Sequence, residues 1–212
     1  MPHRFPTRGL YAITDGPRDD LVNVVAEAIQ GGARLVQYRD KTPDQARRVL
    51  EAGALHELCR EHGVPLIIND DVALALTIQA EGVHLGEDDD AITDAREALG
   101  PDAIIGVSCY DSLERARDLV AAGADYIAFG AFFPSPTKPQ ARRAALDLLR
   151  QSAALRVPRV AIGGITHENG GLLVDAGADY LAAISAVFRA DDVRAAAQSF
   201  TDLFPANPGL PS

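Results

Sequence analysis

The segment Ala-Ala-Gly-Ala-Asp-Tyr-Ile-Ala at residues 121–128 returns as Asp-Ala-Gly-Ala-Asp-Tyr-Leu-Ala at residues 175–182. A looser third copy, Gln-Gly-Gly-Ala-Arg-Leu-Val, occupies residues 30–36. In each copy a glycine that can adopt a left-handed conformation follows a helix, and a short apolar strand begins after a tight turn. Repeated helix-to-strand joints of one kind predict an α/β fold built from a recurring unit.

On either side of this repeat, the chain contains eight short apolar runs that have the character of buried strands. Most of them are apolar almost throughout, which is typical of parallel strands covered on both faces. Ala-, Arg- and Glu-rich stretches with helical spacing separate them. Eight strand–helix alternations in 212 residues predict a closed (β/α)8 TIM barrel, with residues 1–212 as a single domain. The expected strands are Leu10–Thr14, Leu35–Tyr38, Pro65–Ile68, Gly82–Leu85, Ile104–Ser108, Tyr126–Phe129, Arg159–Ile162 and Tyr180–Ser185.

The spacing of apolar residues predicts helices at Asp111–Ala122 and Gln140–Leu155, among others. Either Asp111 or Ser112 is suited to cap the first of these. The tail, Pro205–Ser212, contains three prolines and a glycine without periodicity, and we expect it to be flexible.

The charge of the chain argues against nucleic acid as a partner. Thirty acidic residues outnumber 20 basic ones, which gives a formal net charge of −10. A field of that sign repels phosphate backbones, and no basic stripe offsets it. An anionic small-molecule substrate must therefore be held by a few locally placed cations. Only two of the basic residues are lysines, Lys41 and Lys138, which makes their positions informative.

The sequence also favours a cytoplasmic protein that binds no membrane. No apolar run approaches the ~20 residues of a membrane span, and Met1–Arg8 lacks the apolar core of a secretory signal. Cys59 and Cys109 have no metal-binding or redox spacing, and their apolar neighbours are typical of small buried hydrophobes. The sequence leaves the oligomeric state open, and a homo-oligomer is compatible with it.

Chemistry-bearing residues gather where the predicted strands end. Active sites of TIM barrels form at the carboxyl ends of the strands, so these positions are candidates. Both lysines are among them, and one candidate, His84, has the alternative of being a satisfied core histidine. In strand order the candidates are Tyr11 and Asp15; Gln37, Arg39 and Lys41; Asn69 and Asp70; His84 and Glu87–Asp90; Ser108; Ser135, Thr137 and Lys138; Gly163 and Gly164; and Ile184 and Ser185.

Two acidic motifs on neighbouring strands predict a magnesium site. Asn69-Asp70-Asp71 follows the third strand, and Glu87–Asp90 follows the fourth. A carboxylate from each strand could share one hard cation that bridges phosphate oxygens, as Mg²⁺ does. Zinc is disfavoured without a His/Cys cluster. The alternatives for the two motifs taken singly are an aspartate that caps the next helix and a solvated acidic turn.

Two anion sites are predicted at the mouth of the barrel. Arg39 and Lys41 could grip a pyrophosphate, one through its guanidinium fork and the other as a point charge. The alternative for this pair is a solvated turn. Gly163-Gly164 and Ile184-Ser185 follow strands seven and eight, where bare backbone amides and a helix N-terminus favour a phosphate. The loop 135–138 offers hydroxyls and a cation between the two sites.

In their order these motifs resemble the thiamine phosphate synthase family over nearly the whole chain. Singly each motif is modest evidence, but the ordered set is specific. The segments that carry the resemblance are Leu10-Tyr11-Ala12-Ile13-Thr14-Asp15, Gln37-x-Arg39-x-Lys41, Ile68-Asn69-Asp70, Val83-His84-Leu85-Gly86 with Asp89, Gly106-Val107-Ser108, Ala161-Ile162-Gly163-Gly164-Ile165 and Ile184-Ser185-Ala186.

The resemblance implies a transferase that joins hydroxymethylpyrimidine pyrophosphate to hydroxyethylthiazole phosphate and releases pyrophosphate. It implies Mg²⁺ bound by Asp70 and Asp89, and a pyrimidine contact from Gln37. Tyr11 and His84 are further expected substrate contacts. The residues implied for the pyrophosphate are Arg39, Lys41, Asn69, Ser108 and Lys138, and those for the thiazole phosphate are Ser135, Thr137, Gly164, Ile184 and Ser185. Charge develops on the departing pyrophosphate, so the expected catalytic groups are Lys138, Arg39, Lys41 and Ser108.

The chain departs from the family pattern at several positions. The familiar Arg-Glu-Lys is Arg39-Asp40-Lys41, and the glutamine after His-Leu-Gly is Glu87, which adds a negative charge near the expected metal. Two other functions share the fold. A related thiazole tautomerase typically lacks the acid of the His-Leu-Gly-x-x-Asp motif and the lysine loop. A non-catalytic barrel that senses a phosphate ligand would not need the metal carboxylates.

Overall fold

The computed structural model of the protein describes residues 5–86, 91–134 and 143–205. Its eight strands are parallel and pair in chain order, and the pairing of β1 with β8 closes the barrel. The predicted TIM barrel is confirmed. The strands are β1 Gly9–Ile13, β2 Ala33–Tyr38, β3 Leu66–Asn69, β4 Gly82–Leu85, β5 Ile104–Tyr110, β6 Tyr126–Phe129, β7 Arg159–Ile162 and β8 Tyr180–Ala183. The helices are α1 Leu21–Gln30, α2 Gln45–His62, α3 Val72–Ile78, α4 Ala91–Leu99, α5 Leu113–Ala121, α6 Asp147–Gln151, α7 His167–Asp175, α8 Ser185–Phe188 and α9 Val193–Thr201.

The eighth strand is shorter than its apolar run predicts. It was expected to reach Ser185, but it ends at Ala183. Ile184 leaves the strand conformation, and its carbonyl accepts hydrogen bonds from the amides of Val187 and Phe188 at 3.1 and 2.9 Å. Ser185 is therefore the first residue of α8 and not the last of β8.

The helix expected over Gln140–Leu155 is also shorter. Of the described residues 143–155, only α6 and a following 3₁₀ turn, Ser152–Leu155, are helical. The buried Ala144 donates its amide to the carbonyl of Ala131 at 3.0 Å, so the chain before α6 is held against the segment that follows β6. Residues 140–142 lie outside the described residues.

The helix expected at Asp111–Ala122 forms as α5, and the structure decides between its two candidate caps. Ser112 is the N-cap, because its side chain accepts a hydrogen bond from the amide of Arg115 at 3.1 Å. Strand β5 continues two residues beyond Ser108, to Tyr110.

Two apolar layers hold the barrel together. Helices cover the outward side chains of the strands in one large core. Alternate residues of the strands point inward and fill the barrel, as the pleat requires. The buried members of this inner cluster are Tyr11, Ile13, Leu35, Ile67, Ile104, Tyr126, Ala128, Val160, Tyr180 and Ala182.

The aspartate of the repeated segment has the same structural role in both copies. The Asp125 carboxylate accepts a hydrogen bond from the amide of Ile105 at 2.8 Å and one from Arg96 at 2.6 Å. The Asp179 carboxylate accepts 3.0 Å hydrogen bonds from the amide and the guanidinium of Arg159. Each aspartate thus joins the start of its own strand to the start of the preceding one. The repeat therefore stabilises the end of the barrel opposite the predicted active site.

The first described residues close this lower end of the barrel. Phe5 packs against Tyr126 and Tyr180, with ring centroids 5.7 and 6.3 Å apart. The Tyr180 hydroxyl donates to the carbonyl of Pro6. Arg8 donates to the carbonyl of Ala178 at 2.6 Å, which ties the start of the chain to the turn before β8.

Both cysteines are buried in the core, as their apolar neighbours predict. Burial raises the pKa of the Cys59 thiol to about 12, so it is unreactive at neutral pH. Among the described residues, no helix has the length and apolar character that a bilayer crossing requires.

Candidate active site

Residues from the ends of β2 and β3 meet at the mouth of the barrel. The Lys41 ammonium lies 3.8 Å from a carboxylate oxygen of Asp70, and both side chains are more than half exposed. The Asn69 amide donates to the same oxygen at 2.7 Å. The Asp70 amide in turn donates to the carbonyl of His84 at 2.9 Å, so the end of β3 is fixed to β4. Four predicted site residues are thus neighbours.

Two adjacent aspartates at this point have different roles. Asp71 caps α3 by accepting a hydrogen bond from the amide of Leu74 at 2.9 Å, and it pairs with Arg48 at 2.7 Å. The helix-capping alternative for the motif is therefore fulfilled by Asp71 and not by Asp70. Asp70 adopts a left-handed backbone conformation, with φ of 60°. This conformation leaves its carboxylate at the barrel mouth.

Buried Asp40 fixes the loop that carries Arg39 and Lys41. Its carboxylate accepts hydrogen bonds from the amide of Thr42 at 2.8 Å and from Arg47 at 2.5 Å. Burial would raise the pKa of the Asp40 carboxyl, but these partners lower it overall, so the group is ionised at neutral pH. Asp40, the position where the resemblance has glutamate, therefore organises the loop from a buried site.

Thr14, the residue after β1, holds Arg39 in place. Its hydroxyl accepts a hydrogen bond from the Arg39 amide at 2.9 Å, and its own amide donates to the carbonyl of Gln37 at 2.9 Å. No hydrogen bond or ion pair from the described residues reaches the Arg39 guanidinium. The half-buried Arg39 side chain is thus positioned through its backbone.

A row of hydrogen-bonded side chains crosses the barrel interior, and we call it the interior chain. The Gln37 amide nitrogen donates to the Tyr11 hydroxyl at 2.7 Å, and the Tyr11 and Tyr126 hydroxyls are 2.9 Å apart. The Tyr126 hydroxyl lies 2.9 Å from Nδ1 of His84, and Nε2 of His84 lies 2.9 Å from Oγ of Ser108. His84 therefore fits the alternative of a satisfied core histidine, because both of its ring nitrogens have partners. The interior chain includes four predicted site residues, Tyr11, Gln37, His84 and Ser108.

Burial decides the protonation of the interior chain. It lowers the pKa of His84 to about 4, although the Asp70 carboxylate partly opposes the effect. Burial also raises the pKa of Tyr11 and Tyr126 above the ordinary value for a phenol. The imidazole and both phenols are therefore neutral at pH 7.

Gly106 makes room for the Tyr126 ring. A Cβ atom at Gly106 would lie 1.8 Å from Cζ of Tyr126 and 2.3 Å from its hydroxyl oxygen. Only a residue without a side chain allows the ring to cross from β6 over β5. The Gly-Val-Ser motif thus places a glycine under the ring and a serine at the end of the interior chain.

Arg115 of α5 ties together the ends of β4 and β5. Its guanidinium donates to the carbonyls of Ser108 and Gly86, both at 2.9 Å, and lies over the Tyr110 ring at 5.8 Å. Gly86 is the last described residue before the predicted acidic motif. Arg115 therefore fixes the backbone at the point where that motif begins.

The predicted phosphate site after β7 and β8 has a glycine loop and a helix start. Gly163 and Gly164 have φ of 101° and 65°. A Cβ atom at Gly164 would lie 2.6 Å from the carbonyl oxygen of Phe133, so this loop packs closely on the segment after β6. Asn169 donates to the Gly164 carbonyl at 3.0 Å and holds the loop. Ser185 begins α8, and the amides of Ser185 and Ala186 precede the first hydrogen bond of that helix, which runs from Val187 to the Ile184 carbonyl.

Seven of the candidate positions in the sequence lie outside the described residues. The described part of the chain contains no group of three or more potential metal ligands. Asp70 is the described member of the predicted metal pair. The positions outside are Glu87, Asp88, Asp89, Asp90, Ser135, Thr137 and Lys138.

Comparison with known proteins assigns the chain to a family. The family model described as thiamine monophosphate synthase matches residues 10–187. The chain belongs to the thiamine monophosphate synthase family. Its relatives include the thiamine-phosphate synthase of Nitrosococcus oceani, which is 54% identical over 93% of this chain and 93% of that protein. The thiamine-phosphate synthase of Chromobacterium violaceum is 53% identical over 96% of this chain and 99% of that protein.

Solved structures agree with this family and its fold. A thiamine phosphate pyrophosphorylase from Pyrococcus furiosus superposes with a TM-score of 0.83 and 37% identity, over 92% of this chain and 94% of that one. A 3-hexulose-6-phosphate synthase superposes with a TM-score of 0.68, but its identity is only 16%, so it shows the fold alone.

The thiamine monophosphate synthase motifs led to most of the described site, but three of its supporting residues were not predicted. Tyr126 was recognised only as part of the repeat, and its link between Tyr11 and His84 has no signal in local sequence. Arg115 has the spacing of an ordinary helix surface residue. Thr14 follows the first strand directly, and its polar side chain in an otherwise apolar run was the available signal.

Proposed function

We propose that this chain condenses hydroxymethylpyrimidine pyrophosphate with hydroxyethylthiazole phosphate to give thiamine phosphate and pyrophosphate. Family membership across residues 10–187 supports the reaction class. The structural observation that carries the proposal is the Lys41–Asp70 pair at the barrel mouth, 3.8 Å apart. A cation and a carboxylate side by side suit a substrate that brings both phosphate oxygens and a divalent ion. Under this proposal the protein is a transferase of thiamine biosynthesis.

The pyrophosphate group would be bound above β2, β3 and β5. Arg39 and Lys41 supply positive charge, and the Asn69 amide and Ser108 hydroxyl supply neutral donors. Lys138 is proposed as a further cation from the loop after β6. In the structure Lys41 pairs with the Asp70 carboxylate. A substrate anion that binds Lys41 in place of Asp70 would leave this carboxylate available to another ligand.

Asp70 suits a magnesium ion, and we propose Asp89 as its partner ligand. The Asp70 carboxylate is a hard oxygen donor that is half exposed, and its described contacts are an ammonium and an amide. Asp89 is three residues beyond Gly86. Gly86 lies close to Asp70, since a Cβ atom built on Gly86 would be 3.6 Å from Oδ1 of Asp70. When bound, Mg²⁺ would stabilise negative charge on the leaving pyrophosphate.

The thiazole phosphate is proposed to lie across the ring of strands, at β7 and β8. Gly164 and the first turn of α8, with Ile184 and Ser185, offer backbone amides to a phosphate. Ser135 and Thr137 are proposed hydroxyl donors from the loop after β6. This placement would put the thiazole and the pyrimidine side by side over the interior chain.

The proposed reaction needs no nucleophilic side chain. The bond between the pyrimidine methylene carbon and pyrophosphate breaks, and its electron pair leaves with pyrophosphate. The thiazole nitrogen then donates the pair of the new carbon–nitrogen bond. The protein's contribution is to align the two substrates and to stabilise the charge on the leaving group. Gln37, Tyr11 and His84 are the proposed contacts for the pyrimidine.

The proposed function is tested by supplying the purified protein with both substrates and Mg²⁺. We expect pyrophosphate and thiamine phosphate to appear in equal amounts, and only when both substrates and Mg²⁺ are present. Isomerisation of a thiazole phosphate without pyrophosphate release would identify a tautomerase instead. Binding of either ligand without turnover would identify a non-catalytic barrel. The proposal also includes a cytoplasmic location and no binding of nucleic acid or membranes.

Replacing Arg115 with lysine is expected to raise the Mg²⁺ concentration for half-maximal activity about tenfold, as is typical for residues that support a metal site. Two different nitrogens of Arg115, Nε and Nη2, reach the Ser108 and Gly86 carbonyls, and the single nitrogen of lysine cannot reproduce that geometry. The measurement is a Mg²⁺ titration of the initial rate. Arg117→Lys on the exposed face of the same helix is the matched control. An equal Mg²⁺ requirement in the two variants would contradict the role of Arg115.

A further inference from the structure

The interior chain is a single row of hydrogen bonds that joins one amide, three hydroxyls and one imidazole. A neutral tyrosine has one proton to donate, and a neutral imidazole has one N–H and one acceptor nitrogen. The Tyr11 and Tyr126 hydroxyls are buried, so each must donate its proton within the row, and the direction of one bond then fixes the direction of the next. Only two arrangements satisfy the whole row, one that runs from Gln37 to Ser108 and one that runs back.

The amide of Gln37 selects the first arrangement. Its nitrogen, which can only donate, faces Tyr11 at 2.7 Å. Tyr11 must then give its own proton to Tyr126, since that hydroxyl is its other partner, 2.9 Å away. Tyr126 must in turn give its proton to Nδ1 of His84. The imidazole proton is left on Nε2, where it is donated to the Ser108 oxygen.

We propose that Tyr126 is a positioning residue that holds His84 in its Nε2–H tautomer, so that Ser108 accepts from His84 and directs its own proton to the substrate anion. In the same arrangement the side-chain oxygen of Gln37 does not bond to Tyr11 and can accept a hydrogen bond from another group. The identity of that anion as pyrophosphate depends on the proposed function, whereas the tautomer does not.

Side-chain packing and a backbone hydrogen bond hold the interior chain in place. Tyr126 is fully buried, stacks on His84 with ring centroids 5.6 Å apart and fits over Gly106. The Ser108 carbonyl is held by Arg115 at 2.9 Å. A serine hydroxyl ordinarily rotates among several acceptors, but this one has its acceptor side occupied by the imidazole. An outward donor of fixed direction is what a developing negative charge requires.

The tautomer is read directly by ¹⁵N NMR of the ligand-free protein labelled at histidine. The chain has five histidines, and the His84 signals are assigned by their loss in His84→Gln. We expect the Nε2–H form alone in the wild-type protein. An Nδ1–H signal would show the reverse arrangement and would overturn the proposal, whether or not the protein has synthase activity.

Two neighbouring variants separate a directed chain from general damage to the core. In Tyr126→Phe, neither tautomer satisfies both ring nitrogens, so we expect a mixture of the two. In Tyr11→Phe, Tyr126 keeps its proton for Nδ1, so we expect the Nε2–H form to remain. If Tyr126→Phe also kept a single Nε2–H form, Tyr126 would not set the tautomer.

The effect on the anion is measured with inorganic pyrophosphate and Mg²⁺ by titration calorimetry, and by kcat where turnover is present. We expect Tyr126→Phe and Ser108→Ala each to weaken pyrophosphate binding or lower kcat about tenfold. The matched control is Tyr180→Phe, since that buried hydroxyl bonds Pro6 at the closed end of the barrel. Loss of pyrophosphate binding in Tyr180→Phe equal to that in Tyr126→Phe would contradict a directed role, as would wild-type binding in Ser108→Ala.

Discussion

Replacing Asp70 with asparagine is expected to reduce turnover at least about a hundredfold, which corresponds to about 2.7 kcal/mol of transition-state stabilisation. The substitution removes the negative charge that we propose as a ligand of Mg²⁺ while keeping the size of the side chain. It introduces little backbone strain, because asparagine tolerates the left-handed conformation found at φ of 60°. The measurements are kcat at saturating substrates over a range of Mg²⁺ concentrations and the midpoint of thermal unfolding.

The neighbouring residue offers a matched control for this variant. Asp71→Asn is the same chemical change one position along, and asparagine is also a good N-cap for α3. The substitution weakens the pair with Arg48, which is 2.7 Å long, so we expect a loss of about 1 kcal/mol in stability and near wild-type turnover. Equal turnover in the two variants would remove Asp70 from the metal site.

Replacing Gly106 with alanine is expected to destabilise the protein by about 3 kcal/mol, a cost typical of overpacking in a tight core. The new methyl group would lie 1.8 Å from Cζ of Tyr126. The ring must then leave its place, and the interior chain breaks between Tyr11 and His84. Urea unfolding measures the stability, and the histidine NMR signals report whether His84 has lost its partner.

Two further variants isolate the clash at Gly106. Gly53→Ala in α2 is the control, because a Cβ atom there has open space, and we expect it to stabilise the helix by about 0.5–1 kcal/mol. The double variant Gly106→Ala/Tyr126→Leu removes the ring and should recover much of the stability but not the activity. If Gly106→Ala alone were as stable as the wild-type protein, the ring would have another place to go.

The barrel was predictable from sequence because its evidence is periodic. Apolar runs mark strands wherever the strands are covered on both faces, and the repeat at residues 121–128 and 175–182 marks the joints between them. The strand ends were less predictable. Ile184 is apolar and extends the run that begins at Tyr180, but its backbone conformation turns the chain into α8. Hydropathy does not distinguish an apolar strand residue from an apolar helix cap.

The position of a candidate residue was predictable where the residue lies at a strand end, and not where it depends on a contact between strands. Asn69 ends β3, Asp70 follows it, and Lys41 lies three residues beyond the end of β2. Their meeting at the barrel mouth therefore follows from the fold. The separate roles of Asp70 and Asp71 could not be predicted, because either side chain could cap α3. Only the backbone conformation of the two residues decides between them.

Contacts that join distant parts of the chain gave no signal of their own. The hydroxyls of Tyr11 and Tyr126 meet across 115 positions of sequence. Arg115 reaches back 29 positions to Gly86. Each residue also has an ordinary explanation, a core aromatic or a surface arginine, so a single sequence does not reveal the pairing.

The contacts that Arg8 and β1 make with β8 and the turn before it constrain the order of folding during synthesis. Arg8 bonds the Ala178 carbonyl across 170 positions, and β1 pairs with both β2 and β8. Strand β1 therefore keeps one unpaired edge until β8 has been synthesised. Contacts of such long sequence separation slow folding, and an exposed strand edge can pair with another chain. The nascent chain thus depends on rapid closure once β8 emerges.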